Sequence, residues 1–219
     1  MRPLPQPGPQ PGRRLSADQR RRQILESARE LVHSDGLDTL SVESAARSAG
    51  VSPGLLFHYF GSQRGFRAAV VRLVADEVLG QVSPDPTLSG SAQLRGGIET
   101  FISFVGRHPS LYLAVVRHVD RGGTGTMATL HRDVRARFAE WILAALTGAG
   151  TPRTPAVVAT VHGWLAYVEE LLVGWLDGAE VPADQLADLC ERSAYQLVAV
   201  AVDDPDRWRA IRTALDRRP

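Results

Sequence analysis

The segment that most constrains the fold is GVSPGLLFHYFGS, which runs from Gly50 to Ser62. Its serine-proline pair is a strong helix-start signal, because serine caps the first turn and proline is tolerated at the first helical position. The glycines at both ends of the segment are typical helix stops. The segment therefore predicts a helix of about two turns, from Pro53 to Tyr59, and a helix that short cannot bury a core by itself.

Two helices are predicted ahead of this one. SADQ at 16–19 has the form of a capping box with Ser16 as the N-cap, and an apolar stripe of helical spacing follows it. Ser41 then opens a second, short helix, VESAARSA, whose inner face is mostly alanine. The connection from the second helix to the third is about four residues long and contains Gly50, which is the pattern of a helix-turn-helix. We therefore predict a three-helix helix-turn-helix domain over residues 16–62.

The rest of the chain is also predicted to be helical. A connecting helix is assigned to residues 63–82, and no alternating strand pattern of useful length appears after it. Further helices are predicted near 90–107, 109–120, 126–148, 154–177, 183–202 and 205–217. They make up a second, larger domain over residues 88–219. Residues 1–15 alternate proline, glutamine and glycine and are predicted to form a disordered arm. The fold class is therefore all-α.

Charge is distributed unevenly along the chain. The first 72 residues hold 11 arginines against six acidic residues, a net charge of +5, whereas the remainder holds 14 arginines against 18 acidic residues. A basic helix-turn-helix on an acidic body predicts double-stranded DNA as the partner. The single Cys190 suits a reducing cytosol, and neither a secretory signal nor a window of 18 uncharged apolar residues is apparent. We therefore expect a cytoplasmic protein with no membrane partner.

The third helix supplies the candidate contacts to bases. An α-helix in the major groove brings its N-terminal turn against the base edges, which for this helix means Pro53, Gly54, Leu55 and His58. Leu55 can contact a thymine methyl group, and His58 can bond a base edge or a phosphate. Hydroxyl, amide and guanidinium groups around this helix are candidates for the DNA backbone. These candidates are Ser41, Arg47, Ser52, Tyr59, Gln63 and Arg64.

Several of these residues form a recurrent pattern. It consists of Ser41, AGVS at 49–52, Gly54 and FHYF at 57–60, all within the stretch Arg20–Phe66. In order and spacing the pattern resembles the TetR family of transcriptional repressors. Phe57 is a further candidate for DNA contact. Two positions depart from the family: Phe57 stands where a DNA-contacting tyrosine is usual, and Gln63 where a lysine is usual. The resemblance implies a homodimer that binds a palindromic operator and is released by a small-molecule effector in the C-terminal domain.

The effector site implied by the resemblance is expected among aromatic residues of the C-terminal domain, so the effector itself is expected to be largely apolar. The candidates are Phe101, Phe104, Tyr112, Phe138, Trp141, Trp164 and Tyr167. Glu169 and Glu170 either meet a cationic ligand or form the polar side of their helix. Gly163 and Gly174 are 11 residues apart, close to three helical turns, and share a face that suits a dimer interface. The alternative is that this segment is an ordinary central core helix. Tyr195 is a further candidate for that interface.

Two other classes of protein remain open at this point. An enzyme is one, although the sequence has no zinc-protease, nucleophile-elbow or phosphate-loop motif and its histidines show no ligand spacing. We accordingly predict no catalytic residues, no metal and no cofactor. The other class is a helical protein-interaction module that has kept a helix-turn-helix, which the departures at Phe57 and Gln63 leave possible.

Overall fold

The computed structural model describes residues 15–120 and 125–217, and within them the chain is built of α-helices and one short 3-10 turn. The predicted arm at 1–15 lies outside the described residues, apart from Leu15. The helices are α1 (Ala17–Asp35), α2 (Val42–Ala49), α3 (Pro53–Phe60), α4 (Gln63–Gln81), α5 (Gly90–Arg107), α6 (Pro109–Asp120), α7 (Thr126–Gly148), α8 (Pro155–Leu176), α9 (Ala183–Val202) and α10 (Pro205–Asp216). The all-α prediction is confirmed, and the bounds predicted for α5 to α10 differ from these by at most one residue. The predicted domain boundaries stay predictions.

Local sequence signals place the first three helices. The capping box of α1 forms as expected, because the Ser16 hydroxyl accepts the Gln19 backbone N–H while the Gln19 side chain accepts that of Ser16. Gly50 ends α2 in the left-handed conformation, at φ 65°, and the next residue packs back on the core. Ala45 and Ala46 of α2 are buried, and α1 packs directly on this helix. The small inner face of α2 therefore allows α1 to cover the helix-turn-helix.

Helix α4 links the N-terminal helices to the rest of the molecule. Phe66, at its beginning, is buried beside Phe60 of α3, with ring centroids 5.2 Å apart. Nearer its end, Glu77 accepts hydrogen bonds from Arg29 and pairs with His33, both of α1, each at 3.2 Å. Helix α4 packs on α1 and α3 as well as on α5 and α7, so it connects the N-terminal helices to the C-terminal bundle.

The C-terminal helices form a bundle in which α8 is central. On length and composition alone α8 could cross a membrane. In this fold, however, Val161, Trp164 and Leu172 of α8 are buried, and the helix packs between α7 and α9. Near its middle it also carries Glu169, whose carboxylate is bonded by α7. We therefore describe α8 as a core helix with one apolar face left uncovered.

Candidate DNA-binding surface and effector cavity

Helix α3 presents an exposed face at its N-terminal turn. Leu56 is only 1% exposed and anchors the helix, whereas Phe57 is 48% exposed and His58 is also exposed. A side chain added at Gly54 would meet no described atom within 4 Å, so another backbone or a base edge can approach closely there. Phe57 does not pack on the core, so this face carries an exposed aromatic ring. Tyr59, expected outside, is instead half-buried against the core.

The two candidate serines differ in how free their hydroxyls are. Ser52 is exposed at the N-cap of α3, and its side chain makes no capping hydrogen bond there. Ser41 is engaged in a reciprocal cap with Ser44: its hydroxyl accepts the Ser44 N–H at 2.9 Å, and its own N–H donates to the Ser44 hydroxyl at 3.0 Å. Ser52 is therefore the better donor to a phosphate, while Ser41 serves mainly to start α2.

The long polar side chains around the helix-turn-helix differ in whether they are exposed or bonded to other parts of the chain. Arg47 is exposed near the end of α2, and Gln63 is exposed at the first position of α4. Arg64 is exposed too, but its guanidinium lies beside Gly125 at the start of α7, which directs it toward the C-terminal helices. Arg67 donates to the Leu40 carbonyl at 3.1 Å and braces the loop before α2. The predicted contacts of these residues with DNA stay predictions. Among the three arginines, Arg47 is exposed and is neither directed toward Gly125, as Arg64 is, nor bonded to the Leu40 carbonyl, as Arg67 is.

A cavity of about 230 Å³ lies inside the C-terminal bundle. Its wall is predominantly apolar and is contributed by α4 to α10. Of the residues predicted for an effector site, six line it: Phe101, Phe104, Tyr112, Phe138, Trp141 and Trp164. Tyr167 does not, because it lies on the outer face of α8, 38% exposed. Helical spacing alone could not separate Trp164 from Tyr167, which are three residues apart on the same helix.

One side of the cavity is polar. Glu169 accepts hydrogen bonds from His131 Nε2 at 3.0 Å and from Arg135 Nη1 at 3.1 Å, and Arg135 also reaches the His162 carbonyl. Neither His131 nor Arg135 was among the predicted site residues. Their spacing of four residues, which places both on one face of α7, was the signal that could have found them. Glu169 is thus already paired within the chain, whereas Glu170 is exposed.

Tyr112 completes the polar side. It is only 8% exposed, and its hydroxyl has no hydrogen-bond partner among the described residues. Burial, together with the negative charge of Glu169, raises the pKa of Tyr112 well above its ordinary value. The hydroxyl therefore remains protonated and can donate a hydrogen bond.

An exposed apolar face runs along α8 and α9. On α8 it is made of small residues that include Gly163 and Gly174, and a side chain added at either glycine would meet no described atom within 4 Å. On α9 it includes Leu197 and Val200, and Val200 is 77% exposed. Tyr195, predicted for the same interface, is directed elsewhere. Its ring stacks under the Arg212 guanidinium of α10 at 3.5 Å, so we leave it out of the α8–α9 face.

Two sets of contacts join the cavity to the helix-turn-helix. Helix α7, which supplies part of the cavity wall, is held to α4 by an ion pair of 2.7 Å between Asp133 and Arg72. On the other side, the ring of the cavity residue Phe104 lies 4.8 Å from that of His108, which in turn lies 4.8 Å from His33 of α1. Burial, with the neighbouring basic groups, lowers the pKa of His108 and favours its neutral form.

Comparison with known proteins matches both halves of the chain. Residues 24–70 match the family described as bacterial regulatory proteins of the tetR family, and residues 91–197 match the tetracyclin repressor-like C-terminal domain. The HTH-type transcriptional regulator BetI of Escherichia coli is 35% identical over 80 residues. That match takes in 35% of this chain and only 40% of the length of BetI.

Solved structures share the fold. A tetR-family transcriptional regulator from Streptomyces coelicolor superposes with a TM-score of 0.77 and 24% identity, covering 94% of this chain and 92% of the other. The multidrug binding protein EbrR, in complex with proflavin, superposes with a TM-score of 0.61 and 16% identity, covering 81% of this chain and 99% of EbrR. At these identities the likeness concerns the fold.

Proposed function

Because the chain belongs to the TetR family of bacterial regulatory proteins, we propose that it is a DNA-binding transcriptional repressor that recognises a palindromic operator as a homodimer. A small-molecule effector held in the C-terminal cavity releases it from DNA. The protein acts in the cytoplasm, where its DNA lies, and has no catalytic activity of its own.

The observation that carries the proposal is the exposed N-terminal turn of α3. Ser52 offers an uncommitted hydroxyl, Gly54 admits close approach, and Phe57 and His58 project outward from a helix anchored by Leu56. Against DNA, the exposed ring of Phe57 can pack on sugars or a thymine methyl group. The basic charge of the first 72 residues supports the same partner.

The α8–α9 face supports the dimer. A two-fold axis through this face would bring Gly163 of one copy close to the same region of the second, and small residues allow such close helix packing. Leu197 and Val200 would be covered in the same contact. A symmetric operator requires the two recognition helices to lie about 34–36 Å apart, so any change in the geometry of the dimer alters DNA affinity.

Release by an effector requires the cavity and α3 to be mechanically connected. The Asp133–Arg72 ion pair and the Phe104–His108–His33 contacts provide that connection, because each joins a wall of the cavity to α4 or α1. To move the population from 99% DNA-competent to 1%, the effector must favour the released state by about 5.5 kcal/mol.

Fluorescence anisotropy with labelled DNA from the region upstream of the gene tests the proposal. We expect salt-dependent binding that is lost in a Leu55→Ala, His58→Ala double variant and is absent on scrambled DNA of the same length. Leu88→Ala is a matched control, since Leu88 is an exposed leucine in the connection between α4 and α5. Equal affinity for upstream and scrambled DNA, or an unaffected double variant, would refute α3 as the reading helix and favour the interaction-module alternative.

A further inference from the structure

The carboxylate and the guanidinium of the cavity wall are already paired with each other, so neither is free to meet a charged ligand. Apart from tyrosines, the ionisable residues among those lining the cavity are His131, Arg135 and Glu169. Both oxygens of the Glu169 carboxylate are already bonded, one by His131 and the other by Arg135. A cation in the cavity would compete with Arg135 for the carboxylate, and an anion would compete with the carboxylate for Arg135. Burying either without a free counter-charge is costly, so an uncharged ligand is favoured.

Two tyrosine hydroxyls of the wall, those of Tyr112 and Tyr195, are buried without a hydrogen-bond partner among the described residues. The Tyr195 side chain as a whole is only partly buried, and the Arg212 guanidinium covers its ring, so Tyr112 is the stronger candidate to meet a ligand. The Tyr112 hydroxyl is fully buried and unpartnered among the described residues, in a side chain that is more than nine-tenths buried. A buried polar group left unsatisfied costs about 1–3 kcal/mol, and such groups are rare in folded proteins. A ligand that supplies an acceptor to this hydroxyl recovers that cost on binding.

Size and shape limit the remainder of the ligand. The cavity, about 230 Å³, is smaller than the range of about 300–1,000 Å³ typical of pockets for drug-sized ligands. Rings of Phe101, Phe138 and Trp141 form part of its wall, and neighbouring rings meet edge to face. Such a wall suits a compact hydrocarbon body, preferably with a ring of its own.

We propose that the effector is a compact, uncharged, largely apolar molecule that carries a carbonyl-type oxygen, which accepts a hydrogen bond from the Tyr112 hydroxyl. This inference rests on the proposed function, because it concerns the ligand of the same cavity. A carbonyl is the acceptor that fits best, since it carries no formal charge to be repelled by Glu169. Cationic or anionic ligands are the competing classes.

Two matched pairs of probes test the assignment on the full-length protein. Acetophenone is compared with ethylbenzene, and benzophenone with diphenylmethane, so that each pair differs in the carbonyl group. Diphenylacetate and diphenylmethylammonium carry the same two rings with a negative or a positive charge. Dissociation constants are measured by calorimetric titration for the wild type and for Tyr112→Phe. Tyr195→Phe, which removes another hydroxyl from the cavity wall, and Tyr167→Phe, on the outer surface, are the matched controls.

We expect the wild type to bind at least one ketone about tenfold more tightly than its hydrocarbon partner. Tyr112→Phe should bring this ratio to about one without weakening hydrocarbon binding, and both control variants should keep it. The assignment is overturned if neither ketone is preferred by the wild type, if the preference survives in Tyr112→Phe, or if a charged probe binds more tightly than the ketones.

Operator binding without any probe is measured on the same samples. Retained operator binding with no ketone preference overturns the ligand class alone. Loss of operator binding by the unmodified protein counts against the proposed function, whatever the probes do.

Discussion

Replacing Gly163 by leucine should have opposite effects on the protomer and on the dimer. Within one chain, position 163 faces open space, because a Cβ added there would have no described neighbour within 4 Å. Leucine is a better helix former than glycine by roughly 0.5–1 kcal/mol, so the isolated protomer should gain stability. In a two-fold dimer built on the α8–α9 face, the same side chain occupies space needed for close helix packing.

The size of the dimer effect follows from symmetry. Overpacking a close contact costs about 1–3 kcal/mol, and a two-fold interface contains the substitution twice, for a total of roughly 2–6 kcal/mol. Since about 1.4 kcal/mol corresponds to a factor of ten, the dimer dissociation constant should rise by roughly 30-fold to 10⁴-fold. Operator affinity should fall with it, because a single protomer reads only half of a palindrome.

Sedimentation velocity over a concentration series measures the dissociation constant directly. The matched control is Gly96→Leu, since Gly96 is also exposed in a helix with open space around it but lies on α5, outside the α8–α9 face. We expect this control to leave the dimer unchanged. A Gly163→Leu protein whose dimer dissociates as the wild type does would refute the α8–α9 interface, as would an equal shift in both variants.

Further expectations concern single side chains. Arg47→Ala should reduce the magnitude of the slope of log affinity against log salt concentration by about 1.8, or about 0.9 for each of the two copies in the dimer, and an unchanged slope would remove Arg47 from the DNA contacts. Arg72→Ala should leave the affinity for the effector intact. The effector weakens operator binding by some factor in the wild type, and that factor should be roughly twofold to 30-fold smaller in the variant. If the factor is unchanged, the ion pair of Arg72 with Asp133 of α7 does not transmit the effect of the effector. Tyr112→Phe should raise the free energy of unfolding of the ligand-free protein by about 1 kcal/mol or more, whereas a lower melting temperature in calorimetry would mean that the hydroxyl is satisfied. The Glu77→Gln variant should lose less stability than the wild type as the pH falls below about 4.5. The free energy of unfolding is measured by urea titration at several acid pH values, and an equal decrease in both proteins would contradict this expectation.

The sign of the acid effect follows from the environment of Glu77. Burial alone would raise the pKa of this carboxyl group, but the hydrogen bonds and positive charges of Arg29 and His33 outweigh burial and hold the pKa below its ordinary value of 4.5. A carboxylate with a lowered pKa stabilises the folded state above its unfolded pKa. The stabilisation is lost as the pH falls through the folded pKa.

Local sequence chemistry determined the helices of this protein and its helix-turn-helix. Serine caps, the proline at the start of α3 and the glycines after α2 and α3 act within one or two turns of chain, so their effect is visible in the sequence. Periodicity was sufficient to place α5 to α10, since each helix needs one apolar stripe to bury. The aromatic residues of the cavity were likewise recognisable as a set, because few large rings occur in the C-terminal part.

Tertiary structure alone decided which side of each helix meets which neighbour. Trp164 and Tyr167 have similar sequence contexts, yet the crossing of α8 with α9 buries the first and exposes the second. Glu169 was ambiguous in the sequence, and only the packing of α7 against α8 brought His131 and Arg135 to its carboxylate. The Tyr112 hydroxyl lacks a partner for the same reason, since satisfaction of a buried donor depends on atoms far away in the chain. Long-range packing is a property of several segments together, which no local pattern encodes.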